Sequence, residues 1–395
     1  MWLERQRHIL GLFIGVTICV SLWRITVFQI ETIPPPSFSY GEKRGEEQLL
    51  PQDEATVTTK LKPTTTTTTT NFLSSSSVGS VGAERSSELV LPKSDLFKLI
   101  DLSDFNFTIN KPICDKSSSL FIVLVHSAPR NYLKRNRIRK TWGDGSIGHK
   151  LYFLLGLTDS SYQERQIALE NQMFADIIQG KFLDDYKNMT YKHVMALKWF
   201  TYFCSNTSYL VKTDDDVFVN IKKLETFLSM MNQSGRSTST STFEPSVPTT
   251  LSRPSSSSSN SRNFLFCHKL SNVAVKRTYR SKWRVSPKDY KHKYYPEYCP
   301  GYIIVYSGDV VHKLYVEAQN MTYFWIDDVH LTGNIRKQLN IPITSFEQYL
   351  LKEPALLELQ SDSNKTKELC NYLFAWSNVK PIQVDFLWKT INTHC

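Results

Sequence analysis

A second long apolar run, a block of more than three neighbouring cations and a closely spaced cysteine pair are all missing from these 395 residues. Each absence excludes something. One apolar run allows one membrane crossing at most. The formal charge is +10, from 47 Lys and Arg against 37 Asp and Glu, but the cations are spread thinly. That excludes nucleic acid as a partner and suits a protein that handles anionic phosphates or works near a membrane. Without close cysteine pairs there is no zinc site to read. Hydrophobic periodicity is absent from 31–112 and again from 233–262, both rich in Ser, Thr and Pro. Such segments cannot bury enough surface to offset chain entropy. The first reads as a disordered stalk, extended further if O-glycosylated, and the second as a disordered surface insertion.

The apolar run is at the N-terminus. Arg5 and Arg7 precede Ile9–Trp23, and Arg24 separates that stretch from Ile25–Ile30. Counted through Arg24, whose side chain can snorkel, 9–30 reaches the roughly 20 residues that a span needs. A cleaved signal peptide is the other reading, but Phe28-Gln29-Ile30-Glu31 is a poor cleavage site. The expectation is a signal anchor, with 1–8 in the cytosol and everything after residue 30 in the lumen. Sequons at Asn106, Asn188, Asn206, Asn232, Asn320 and Asn364 agree with a secretory compartment. So does the even set Cys114, Cys204, Cys267, Cys299, Cys370 and Cys395, whose pairing stays open.

From residue 113 to 395 the chain has enough apolar residues for a core, and 41% of the whole sequence is hydrophobic. "LFIVLVHSA" (120–128), "KLYFLLGLT" (150–158) and "YLVKT" (209–213) read as strands buried on both faces. "RNYLKRNRIRKTWG" reads as a helix ending at Gly143, and a second helix follows Ser160 as its cap. A third covers 189–204, and "GYIIVYS" is a strand followed by another helix. Strands alternating with helices predict an α/β sheet with parallel strands, and ligands bind such sheets at the carboxyl ends of strands.

Asp214, Asp215 and Asp216 stand at one such end, in "YLVKTDDDVFVN". In extended backbone Asp214 and Asp216 share a side and Asp215 points away. A bare Asp triplet reads as a solvated acidic turn. After a buried strand and before "VFVN", the pair reads instead as a hard oxygen site for Mn²⁺ or Mg²⁺. A dication there removes the carboxylate repulsion and leaves room for a diphosphate. Asp327 and Asp328, in "WIDDVHLTGNI", read equally as carboxylates favoured by a helix N-terminus or as a general base.

"RNRIRKTWG", "DDYKNMTYKHVMALKWF", "YLVKTDDDVFVN", "SKWRVSPKDY", "YYPEYCPGYIIVYS" and "IDDVHLTGNI" follow one another in this order. Together they resemble the β-1,3-glycosyltransferases, a family of β-1,3-galactosyl- and β-1,3-N-acetylglucosaminyltransferases. The resemblance covers about 120–340. It implies a GT-A-like fold, that is, a single catalytic domain with a mixed, mainly parallel sheet flanked by helices. It further implies a UDP-sugar donor, a glycoprotein or glycolipid acceptor, Mn²⁺, inverting chemistry and a Golgi location. Carried over by residue, Asp214 and Asp216 match the metal-binding pair, and Asp215 stands between them at the nucleotide. Asp328, beside Asp327, matches the base that acts on the acceptor hydroxyl. Arg139, Thr141 and Trp142 match a motif near the donor, and Lys212 matches a basic residue preceding the triplet. Trp283 and Tyr295 to Pro300 match the acceptor side. Inversion through one base is a single displacement of UDP by the acceptor oxygen.

This sequence departs from the family at three places. "CPGYIIVYS" replaces a Gly-rich loop, Asp327 replaces a Glu, and Ser377 stands where the family usually has a His that completes the metal shell. The last departure keeps open a degenerate relative that binds glycans or partners without turnover. An unrelated anchored protein with a structural Ca²⁺ leaves the ordered motifs unexplained. The sequence indicates no oligomeric state.

Overall fold

The computed structural model describes residues 91–110, 114, 119–145, 150–234 and 262–395. The expected cytosolic tail, anchor and most of the stalk lie outside the described residues, as does nearly all of the 233–262 insertion. Among the described residues no helix is long and apolar enough to cross a membrane.

Strands are numbered in chain order. They are β1 (Phe107–Ile109), β2 (Phe121–His126), β3 (Lys150–Leu157), β4 (Ile177–Leu183), β5 (Tyr209–Asp214), β6 (Leu265–Cys267), β7 (Ile303–Ser307) and β8 (Thr344–Ser345). They form one sheet in the order β1-β4-β3-β2-β5-β7-β6-β8. The run β4-β3-β2-β5 is parallel, as is β6-β8. β5-β7, β7-β6 and β1-β4 are antiparallel. The sheet is therefore mixed, with parallel pairing in the half that carries the triplet.

All six residues of β2 are buried, as are all five of β7, which is why both read as unbroken apolar runs. The helices that matter for the site are α1 (Tyr132–Arg139), α2 (Ser161–Phe174), α3 (Met189–Phe203), α4 (Ile221–Ser234) and α5 (Gly308–Ala318). α3 is buried over Thr190 and from Lys192 to Phe200, and it packs on β2, β3, β4 and α5. α2 starts where expected, with the Ser160 hydroxyl accepting from the Gln163 amide. α1 stops at Arg139, four residues before Gly143. The chain then turns, and the Gly143 amide donates back to the Ile138 carbonyl.

The boundary expected at 112 moves. Residues 91–110 belong to the folded body, with Leu99 and Phe105 fully buried and β1 on the sheet edge. Asp95 explains why so polar a stretch packs: its buried carboxylate accepts from Tyr202, Tyr315 and Gln319 and pairs with Lys198. Average composition over 31–112 hid these few anchoring side chains. The cysteine set resolves into Cys114–Cys204, Cys267–Cys299 and Cys370–Cys395. The second ties the end of β6 to the segment leading into Gly301.

Candidate active site

Asp214 ends β5, and Asp215 and Asp216 form the turn that follows, so the extended backbone expected across the triplet stops at its first residue. Asp215 turns toward β2 and α1. Its carboxylate accepts from Ser127 Oγ and Asn131 Nδ2, both at 2.7 Å, and from Lys134 Nζ at 2.9 Å. Those partners satisfy it, so Asp215 pins the start of α1 to β5. Asp214 and Asp216 open onto two cavities that meet at them, and Asp215 lines the first of these.

The first cavity, about 680 Å³, covers the carboxyl ends of the parallel strands, from Ser127 across Thr158 and Asp184 to the triplet. Buried Lys192 knits its floor, donating to the Ser127 carbonyl at 2.7 Å and pairing with Asp184 at 2.7 Å. Asp184 also accepts from the Gly156 amide at 2.6 Å. A Cβ at Gly156 would lie 2.7 Å from the Phe182 carbonyl oxygen, so only glycine lets β3 and β4 approach this closely.

The second cavity, about 540 Å³, lies on the other side of the pair. Trp283, Tyr295, Tyr298 and Pro300 line it, and so do Asp327, Asp328 and Ser377. Asp328 begins a wide helical turn over Val329–Ile335, and its Oδ1 accepts from the Val329 amide at 2.7 Å. Burial, reinforced by the charge of Asp327, raises Asp328 to about 7. Burial acts on Asp327 too. There it is outweighed by His193, whose Nδ1 lies 2.8 Å from Oδ2, and Asp327 is held below the usual carboxylate range. His193 is fully buried, and that burial pulls it below the usual imidazole range against the pull of Asp327. A neutral ring that donates from Nδ1 accepts at Nε2 from the Tyr306 hydroxyl, 2.9 Å away. Adjacent carboxyls pushed apart in this way divide the labour: one stays charged, and the other can take a proton near neutral pH.

Lys212 is buried between the two carboxylate groups. Its ammonium contacts Asp214 Oδ1 at 2.8 Å and the Gly301 carbonyl. Burial lifts Asp214 to about 6 against the pull of Lys212, and Asp216 and Asp327 raise it further. Two hard carboxylates facing one cleft, one of them reluctant to ionise, are chemically suited to a divalent cation. Among the described residues no set of three or more His, Cys, Asp or Glu converges as a metal site. Asp214 and Asp216 are the two carboxylates of the triplet that line both cavities.

Arg139, Thr141 and Trp142 are elsewhere. They line neither cavity. Arg139 pairs with Glu170 and Asp176, each at 2.7 Å, and lies over the Phe153 and Phe174 rings. Thr141 donates to the Arg137 carbonyl, and Trp142 is core. The contacts of this motif are those of scaffold. Its neighbour Arg135 has the closer influence on the site. It pairs with Glu170 at 2.6 Å and donates to Ser127 Oγ and to the carbonyls of Ala128 and Pro129. Arg135→Met leaves those acceptors buried and short of donors. We expect a loss of about 3 kcal/mol in urea unfolding; an unchanged midpoint would contradict it.

With this geometry in place, the comparisons give it a family. The Galactosyltransferase family profile matches residues 133–347. Beta-1,3-galactosyltransferase 5 of Pan troglodytes is 31% identical over 232 residues, covering 58% of this chain and 69% of the relative. UDP-GalNAc:beta-1,3-N-acetylgalactosaminyltransferase 1 of Rattus norvegicus is 30% identical over 237 residues, covering 58% of this chain and 63% of the relative. Among solved structures, the WbbM bifunctional glycosyltransferase overlaps 72% of this chain and 51% of its own at 11% identity. Its TM-score of 0.34 is too low to carry an argument. The chain belongs to the β-1,3-glycosyltransferase family defined by the galactosyltransferase domain.

Proposed function

We propose that this chain transfers a hexose, galactose or N-acetylglucosamine, from a UDP-sugar to a glycan on a glycoprotein or glycolipid, with inversion and a β-1,3 linkage. One observation carries the reading: Asp214 and Asp216 stand where the cavity at the strand ends meets the cavity that holds Asp328. In this assignment the domain is GT-A-like. The first cavity takes the nucleotide, as strand ends in open α/β sheets do. The second takes the acceptor.

Asp214 and Asp216 would hold Mn²⁺, which when bound neutralises charge on the departing diphosphate. The chain's own groups do the rest. Asp328 accepts the proton of the acceptor hydroxyl as that oxygen attacks the anomeric carbon opposite UDP. Asp327, fixed by His193 and Tyr306, keeps its charge and holds Asp328 basic enough for the task. Lys212 offsets the accumulated negative charge between them. The aromatic wall excludes water and orients the acceptor ring. The proposed setting is the Golgi lumen, behind a single type II anchor over 9–30. Three disulfides among the described residues suit that oxidising compartment.

A second reading, a glycan-binding relative without turnover, is favoured by Ser377, which lines the second cavity where the family usually places a His. The two are separated by incubating the full chain in detergent with UDP-galactose, UDP-N-acetylglucosamine, UDP-N-acetylgalactosamine and UDP-glucose and a panel of β-linked acceptors. UDP release with one donor, abolished by chelation, is the expected result. Absence of UDP binding by calorimetry, with Mn²⁺ present, would select the second reading.

A further inference from the structure

A third cavity, about 740 Å³, adjoins the acceptor cavity and shares Lys282 and Trp325 with it. Its walls include Lys187, Arg284 and Lys288 together with Tyr279. The segment 276–293 that forms most of it holds eight Lys or Arg against the single Asp289. Asp289 is committed locally, its carboxylate accepting from Ser286 Oγ at 2.7 Å. Arg277 is committed too, donating to the carbonyls of Val285, Tyr290 and His292, so it staples the segment into shape. Lys282, Arg284 and Lys288 have no carboxylate partner among the described residues, and Arg284 Nε has no hydrogen-bond partner there.

Aromatic rings alternate with these cations. Lys282 Nζ lies 4.4 Å from the centre of the Trp283 ring, and the Arg284 guanidinium lies 3.9 Å from that of Tyr279. Tyr279 is 87% exposed and Trp283 46%. Exposed rings offer flat faces to a sugar, and unpaired cations beside them offer charge-assisted hydrogen bonds. Like charges gathered around one carboxylate, Asp289, repel, and an anionic ligand relieves that repulsion.

We propose that this cavity is an acceptor subsite for an anionic sugar, one bearing a sulfate or a carboxylate, adjacent to the sugar that receives the transferred hexose. The proposal rests on the acceptor assignment made above. The contiguity of the two cavities through Lys282 and Trp325 places the charged sugar next to the reacting one. Its aromatic faces favour a glycan over an acidic polypeptide, which needs only the charge.

The test uses the full chain in detergent and four probes read by biolayer interferometry. They are a β-linked oligosaccharide sulfated on its penultimate sugar, the same chain with a uronic acid there, the uncharged twin, and an oligo-glutamate peptide. At least one charged sugar is expected to bind about tenfold tighter than the uncharged twin. Raised salt should erase the difference. Lys288→Glu, at an exposed position, should abolish it while leaving UDP affinity and transfer to the uncharged acceptor intact. Arg284→Lys, which keeps the charge and loses the stacked plane, should weaken it partly. Equal binding of charged and uncharged sugars, a preference that survives Lys288→Glu, or equal binding of oligo-glutamate would overturn the proposal. Transfer without any charge preference sinks the subsite alone. Charge-selective binding through Lys288 without UDP binding or transfer sinks the enzymatic reading and leaves the subsite standing.

Discussion

Asp328→Asn is expected to slow sugar transfer about a thousandfold, the scale of losing a positioned general base, with UDP affinity unchanged. The amide still accepts from the Val329 amide, so the helical turn keeps its cap, but it takes no proton. The pH dependence sharpens the expectation. Asp328 is raised to about 7, and only its ionised form is a base. In the wild type kcat/KM should therefore climb with rising pH through about 7 and then level off. Asp327→Asn removes a neighbouring negative charge that helps to raise Asp328. Its acid limb should move to lower pH, with a lower plateau because Asp328 is then the weaker base. A pH-independent rate in the wild type, or an Asp328→Asn enzyme with normal turnover, would remove Asp328 from the role.

Asp216→Ala is expected to lower transfer by at least about a thousandfold, because charge stabilisation by a bound ion supplies several kcal/mol. Stability should hardly change. Asp216 has a loose contact with Lys134 at 3.7 Å, and the Asp216 carbonyl that accepts from the Val379 amide survives the substitution. The expected cost is within about 0.5 kcal/mol, as for other partly exposed surface changes. The telling readout is calorimetry: Mn²⁺ should strengthen UDP binding to the wild type and not to the variant. Equal transfer by both proteins would sink the metal role. Asp215→Ala is a different experiment, since it frees Ser127, Asn131 and Lys134 together and loosens α1.

Much of this site was legible because it is local. A carboxylate triplet closing a buried strand marks the site without tertiary information, although Asp215 and Asp216 lie in a turn and not in the extended backbone expected of them. A helical start at Asp328 was legible from its short motif, whereas the width of that turn was not, and the aromatic wall came from the family resemblance. What sequence reasoning missed depends on distant partners. His193 is 134 residues from Asp327, and nothing around either residue announces the pair. Lys192 and Asp184 look like surface charges on a helix and a loop until β2, β3 and β4 bring their ends together. Arg139 likewise depends on distant partners, its guanidinium being held by Glu170 and Asp176. β4 escaped notice because Gly180 and Lys181 interrupt its apolar run. Its burial comes from β3 on one side and β1 on the other, the latter within a stretch whose composition reads as stalk.

The central claim is that one cleft performs an inverting transfer to a sugar hydroxyl. Its most direct test is nuclear magnetic resonance of the product, made by the full chain from an α-linked UDP-hexose and a β-linked acceptor in the presence of Mn²⁺. The account predicts a new β-anomeric proton coupled through the linkage to carbon 3 of the acceptor sugar. An α-anomeric product, or attachment at another carbon, would contradict it.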